Sequence, residues 1–105
     1  MPDRNKAVKL HAEARVELQE SVAFYRDRAG EGWATRFKQR VAEGLEAIGA
    51  NPDRYPPAPD LPGVQKLRIE QFPFSLLYIN RPDYVWVVAI AHASRKPGYW
   101  KDRIS

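Results

Sequence analysis

The stretch Phe72–Trp100, FPFSLLYINRPDYVWVVAIAHASRKPGYW, decides the fold: two apolar strand-like runs, a tight turn between them, and a basic, aromatic tail. In Phe74–Ile79 and again in Val85–Ala91 both alternating sets of side chains are apolar. That is the pattern of strands covered on both faces rather than of a half-solvated edge. Asn80-Arg81-Pro82-Asp83 has the composition of a turn, because Pro presets its own φ while Asn and Asp bond to nearby backbone. The two runs therefore pair antiparallel, and other parts of the chain must cover them. The second run, Tyr84–His92, is the longest strand, and read as a plain alternation it places Tyr84, Trp86, Val88 and Ile90 on the side that ends in His92.

Upstream, Val64–Glu70 alternates as well, with Leu67 and Ile69 on one face and Lys66 and Arg68 on the other, so two cations stand side by side on one strand surface. Phe72-Pro73 ends that strand, since proline cannot donate to a ladder. Pro52–Gly63 holds five of the nine prolines, which excludes a helix and favours a semi-rigid connector over the surface, with Tyr55 as a packing anchor.

Two helical stripes precede the connector. Ala14, Leu18, Val22 and Tyr25 recur at steps of four, four and three, as do Trp33, Phe37, Val41, Leu45 and Ile48 at fours and a three. Each is one apolar face of a helix. Gly30-Glu31-Gly32 breaks the run between them, and the short link predicts an antiparallel helical hairpin. Asn51 offers a left-handed terminal position and Pro52 forbids continuation. Trp33 reads first as core, with the wall of a groove between hairpin and sheet as the alternative. Ala7–His11 alternates as a short first strand, and residues 1–5 read as a loose arm. The order β-α-α-β-β-β predicts one α+β domain over residues 1–105, an antiparallel sheet with the helical hairpin packed on one face.

Bulk properties narrow the function. The 105-residue chain has no cysteine, which excludes a disulfide framework and thiolate metal sites. His11 and His92 are too few for a metal centre, and no motif calls for a cofactor. The longest apolar run is far short of the ~20 residues that span a bilayer, so a soluble, cytoplasmic protein without membrane contact is expected. Residues 1–63 carry ten Lys/Arg against ten Asp/Glu, and residues 64–105 seven against three, so the last part of the chain carries the whole net charge of +4. A localised basic surface suits an acidic protein or a nucleic acid.

The order of elements, the segment NPDRYP (Asn51–Pro56), the strand pair VQKLRIEQFPFSLLYI (Val64–Ile79) and the ending AHASRKPGYWKDR (Ala91–Arg103) resemble the RelE/ParE superfamily of bacterial toxins, over about Val8–Arg103. The long hairpin and the HxxRxPxYW ending, here His92, Arg95, Pro97, Tyr99 and Trp100, are closer to the ParE branch. The resemblance implies a cytoplasmic toxin neutralised by a cognate antitoxin that is acidic, folds as it binds, and joins it in a higher-order complex. The target implied is DNA gyrase, with ribosome-dependent cleavage of messenger RNA as the alternative.

RNA cleavage requires a base for the 2′-hydroxyl, cations for the charged phosphate and an acid for the leaving oxygen. Arg68, His92, Arg95 and Tyr99 are the candidates for that chemistry. The strand Phe74–Ile79 offers only Ser75 and Tyr78 as polar groups, where RelE-like nucleases carry basic residues. As a binding surface the candidates are Lys66, Arg68, Arg95, Lys96 and Tyr99 toward the target, and Trp33, Phe37, Lys66 and Arg68 toward the antitoxin. His92 reads equally as a hydrogen-bonded histidine at the sheet rim, while Tyr99 and Trp100 read as folding back onto the core and leaving Arg95 and Lys96 exposed on the preceding turn.

Overall fold

The computed structural model describes residues 5–59 and 61–104, so most of the predicted N-terminal arm lies outside the described residues. The elements are β1 (Ala7–Leu10), α1 (Ala12–Ala29), α2 (Glu31–Ala50), β2 (Gln65–Arg68), β3 (Phe74–Asn80) and β4 (Tyr84–His92), with short 3₁₀ turns at Pro52–Arg54 and Lys101–Arg103. The α+β class, the element order and the bounds of β4 are those expected from sequence.

The sheet has the order β1-β4-β3-β2. β2, β3 and β4 form the antiparallel meander, but β1 joins the edge of β4 in parallel, with Ala7 opposite Tyr84 and Leu10 opposite Val87. The sheet is therefore mixed rather than wholly antiparallel. Two helices and the 52–64 connector separate β1 from β2, and they return the chain to the same end of the sheet before β2 begins.

His11 does not extend β1. It caps α1 instead, its Nδ1 accepting the Glu13 N–H at 2.9 Å and satisfying one orphan donor of the first turn. Only Gly30 interrupts the two helices. Its φ of 100° is a conformation L side chains avoid, and its N–H donates to the carbonyls of Tyr25 (3.0 Å) and Arg26 (3.2 Å). Glu31 and Gly32, expected in the break, begin α2, and an Arg26–Glu31 ion pair at 2.7 Å straddles the turn. At the other end Asn51 is extended, with φ −153°, rather than left-handed: Pro52 excludes the helical region for the residue before it, and that is what stops α2.

One face of the sheet is covered by the hairpin. Phe37, Val41 and Ile48 of α2 and Ala14 and Val22 of α1 pack on Phe74, Leu76, Tyr78, Val85, Val87 and Ile90. The approach is close where α2 carries Gly44, since a Cβ there would stand 3.0 Å from Leu76 Cδ1. The connector and the C-terminal tail cover the other face, where Ala58, Val64 and Trp100 bury Leu77, Val88 and Ala89. Buried Tyr78 donates its hydroxyl to Pro52 O at 2.6 Å, and Gln65 Nε2 donates to the carbonyls of Pro52 (2.7 Å) and Tyr55 (2.9 Å). These bonds tie the proline-rich connector to the sheet.

The simple alternation along β4 fails at a bulge. Leu77 pairs with Ala89 and Tyr78 with Val87, leaving Val88 without an opposite residue. Val88 and Ala89 then share the tail face, and every later side chain changes sides. Trp86 and Val88 consequently face the tail while Ile90 faces the hairpin, and the His92 ring stands edge-on to Phe74 at 5.0 Å.

Phe37 is fully buried, with its ring 5.0–5.2 Å from those of Tyr25, Phe72 and Phe74. Phe37→Ala is expected to lower the unfolding free energy by about 3–5 kcal/mol. Trp33→Ala, at a residue that is 48% exposed, should cost ~1 kcal/mol or less. Urea midpoints at unchanged slope check both.

Candidate target-binding groove

Lys66 and Arg68 project from β2 on the face away from the hairpin, because their cross-strand partners Leu77 and Ser75 lie on that face. Beyond β4 the chain turns back over itself. The Ala93 N–H donates to Pro73 O (2.8 Å), the Arg95 N–H to His92 O (3.0 Å) and the Tyr99 N–H to Lys96 O (3.2 Å). Between strand and loop opens a groove of about 280 Å³ whose wall includes Lys66, Arg68, Ser75, His92, Arg95, Lys96 and Tyr99. All the residues expected to face the target therefore meet in one place, although they come from two segments of the chain. Trp100 is buried at the base of the loop, Tyr99 is half-buried, and Arg95 and Lys96 are exposed, as expected.

The antitoxin-facing expectations do not converge in the same way. Phe37 has no exposed surface and serves only the core. Trp33 is not core: half its surface is open at the start of α2, edge-on to Phe72 at 6.0 Å with the Arg36 guanidinium 5.7 Å above its ring. It sits on the hairpin, whereas Lys66 and Arg68 face the groove on the opposite side of the sheet. Among the described residues, Val16 (40%) and Phe24 (50%) are the other large apolar side chains left exposed, both on α1.

The proton-transfer candidates are already engaged. His92 Nδ1 accepts the Ser94 N–H at 2.9 Å and lies 2.7 Å from Ser94 Oγ. A neutral ring with Nδ1 accepting carries its proton on Nε2, which makes the nitrogen left over a donor. The Tyr99 hydroxyl donates to Glu17 Oε2 at 2.6 Å. Burial first, and then the hydrogen bond and charge of Glu17, push its pKa well above the ordinary value of 10.0, so it holds its proton near neutral pH.

Glu17 is the residue that sequence reasoning missed. It lies off the apolar stripe of α1, yet its side chain is only 13% exposed, as is that of Arg103, whose guanidinium reaches both its oxygens at 3.0 and 2.8 Å. Oε1 also accepts the Ile90 N–H (2.9 Å), and Arg103 donates to Val88 O (2.9 Å). β1 covers β4 only as far as Val87, so Glu17 and Arg103 take up backbone groups that the short strand leaves unpaired. The signal was present: Glu17 is three residues from Ala14 and borders the buried stripe, and Arg103 is the one arginine after Tyr99-Trp100. Arg95 stacks on Tyr99 with its guanidinium 3.9 Å from the ring centroid. The chain Arg103–Glu17–Tyr99–Arg95 thus fixes the basic loop.

Among the described residues no cluster of His, Asp or Glu could hold a metal, and no helix is long and apolar enough to cross a membrane. The fold superposes on a chain of the chromosomal ParDE TA system from P. aeruginosa with a TM-score of 0.74 and 20% identity, over 83% of this chain and 95% of that one. No curated protein matches the chain in sequence. Residues 8–97 match the ParE toxin of type II toxin-antitoxin system, parDE, and the chain belongs to that family. It is the toxin of a type II pair, and such a pair supplies an antitoxin as its partner.

Burial alone would raise the Glu17 carboxyl, but the bonds from Arg103, Tyr99 and the Ile90 N–H outweigh it and hold its pKa below the ordinary 4.5. The stability this contributes is complete above the unfolded-state pKa and disappears as pH falls through the lower folded-state value. Glu17→Gln is expected to cost roughly 1.5–3 kcal/mol at neutral pH. In thermal melts its deficit against the wild type should narrow once the pH drops below the ordinary carboxylate range.

Proposed function

We propose that this toxin arrests growth by poisoning DNA gyrase through the rim formed by Lys66, Arg68, Arg95, Lys96 and Tyr99. In the same proposal a cognate antitoxin, acidic and folding as it binds, silences it in the cytoplasm within a higher-order complex. Family membership makes gyrase the first target to consider. The observation that carries the choice is that both proton-transfer candidates in the groove are committed to intramolecular hydrogen bonds, His92 through Ser94 and Tyr99 through Glu17. Holding a target needs cations and shape, which the groove has; cutting RNA also needs a group able to take a proton. The exposed side chains of Val16, Phe24 and Trp33 on the hairpin give a folding antitoxin segment apolar surface to cover.

Ribosome-dependent cleavage of messenger RNA is the second reading, supported by the meeting of Arg68, His92, Arg95 and Tyr99 in one groove. Induced expression separates the two. Gyrase–DNA cleavage complexes and a DNA-damage response are expected, and specific message cuts by primer extension with supercoiling intact would overturn the gyrase reading. The double variant Arg95→Ala/Lys96→Ala is expected to lose toxicity while keeping its melting temperature, since both side chains are exposed on the loop; full toxicity would remove the loop from the working surface.

A further inference from the structure

The groove has a property that a generic target-binding surface does not need. Among the described residues its wall contains no aspartate or glutamate, yet it carries Lys66, Arg68, Arg95 and Lys96. The described salt bridges engage Arg26, Arg40 and Arg103 and none of these four. Arg95 is instead oriented by the Tyr99 ring at 3.9 Å, which positions the guanidinium without neutralising it. One pair of cations stands two residues apart on a rigid strand, about 7 Å along it, and the other pair on a loop clamped to α1. A concave site with preset cations on both walls attracts continuous negative charge.

We propose that this groove takes a phosphodiester backbone, and that the strand it holds in the cell is DNA engaged by gyrase, an assignment that rests on the gyrase-directed reading above. An acidic peptide is the other polyanion to consider, but a peptide that folds on binding must bury apolar surface to offset its ordering. Among the described residues the large exposed apolar side chains, Val16, Phe24 and Trp33, are all on the helices, away from Lys66 and Arg68. Phosphates need no such surface: guanidinium, ammonium and hydroxyl donors suffice, and Ser75 stands beside Arg68 on the adjoining strand as a hydroxyl donor. Contacts of this kind carry no base sequence, so the site would grip DNA wherever gyrase presents it.

The test is fluorescence anisotropy of the isolated toxin with a short labelled DNA duplex over a salt series, comparing wild type, Lys66→Ala/Arg68→Ala, and Arg28→Ala/Arg36→Ala. The last pair removes the same charge from the hairpin. The groove pair is expected to weaken binding about tenfold or more and to reduce the salt slope by about two, while the hairpin pair stays within about twofold of wild type. Arg95→Ala/Lys96→Ala provides a second groove variant should the first fail to fold. Equal weakening by groove and hairpin pairs, absence of duplex binding by the wild type at low salt, or RNA of the same sequence bound more than about tenfold tighter each overturns the assignment. So does a groove variant that keeps DNA and loses only poly-glutamate. Wild-type toxin that traps gyrase cleavage complexes without binding DNA sinks this inference alone, whereas groove-dependent DNA binding without trapped complexes sinks the gyrase reading.

Discussion

Strand β4 carries apolar side chains on both faces, and such a strand is stable only where each face is covered. The rest of the chain is arranged to meet that constraint. The helical hairpin takes the face with Val85, Val87 and Ile90; the proline-rich connector and the tail take the face with Val88 and Ala89. Neither cover is a second sheet or a partner. The connector works because five prolines restrict it before it docks, so its ordering costs less than that of a flexible loop of equal length. The tail works because Trp100 is buried and Arg103 is anchored.

The anchoring links stability to the basic surface. Two charged side chains enter a mostly buried setting, where removing them from water is unfavourable unless their polar atoms are satisfied. Here the carboxylate meets a guanidinium, a phenol and a backbone N–H, and the guanidinium also meets a carbonyl. The same phenol ring holds Arg95. A contact whose first role is to close the open part of the β4 edge therefore also orients a cation in the groove.

What the sequence made legible follows from how local each signal is. The helical stripes and the length of β4 are periodicities within one segment, and they survive into the structure. The cations and Tyr99 were recognisable because they lie outside the apolar pattern, and they meet because β2 and the loop after β4 flank the same sheet face. What was hidden is non-local or without a side-chain signature. The parallel seat of β1 depends on a return path of more than fifty residues. The bulge leaves no mark, since Val88 and Ala89 are apolar on either side. Trp33 shares the spacing of Phe37, yet its ring stands edge-on to Phe72 with half of the residue's surface left open. His11 caps α1 although histidine is not among the preferred capping residues. Glu17 gives no local signal because its partners lie 73 to 86 positions away.

That last separation bears on the order in which the molecule takes shape. Helices and hairpins close through short loops and form early, whereas a contact spanning 86 positions must wait until everything from Glu17 to Arg103 exists and the two have met. During synthesis the hairpin with its exposed Phe24 and Trp33 emerges first, and the cationic loop acquires its fixed shape only after Arg103 has cleared the ribosome. The nascent chain thus displays its apolar helices before its groove is complete, a temporal ordering written into the position of a single glutamate.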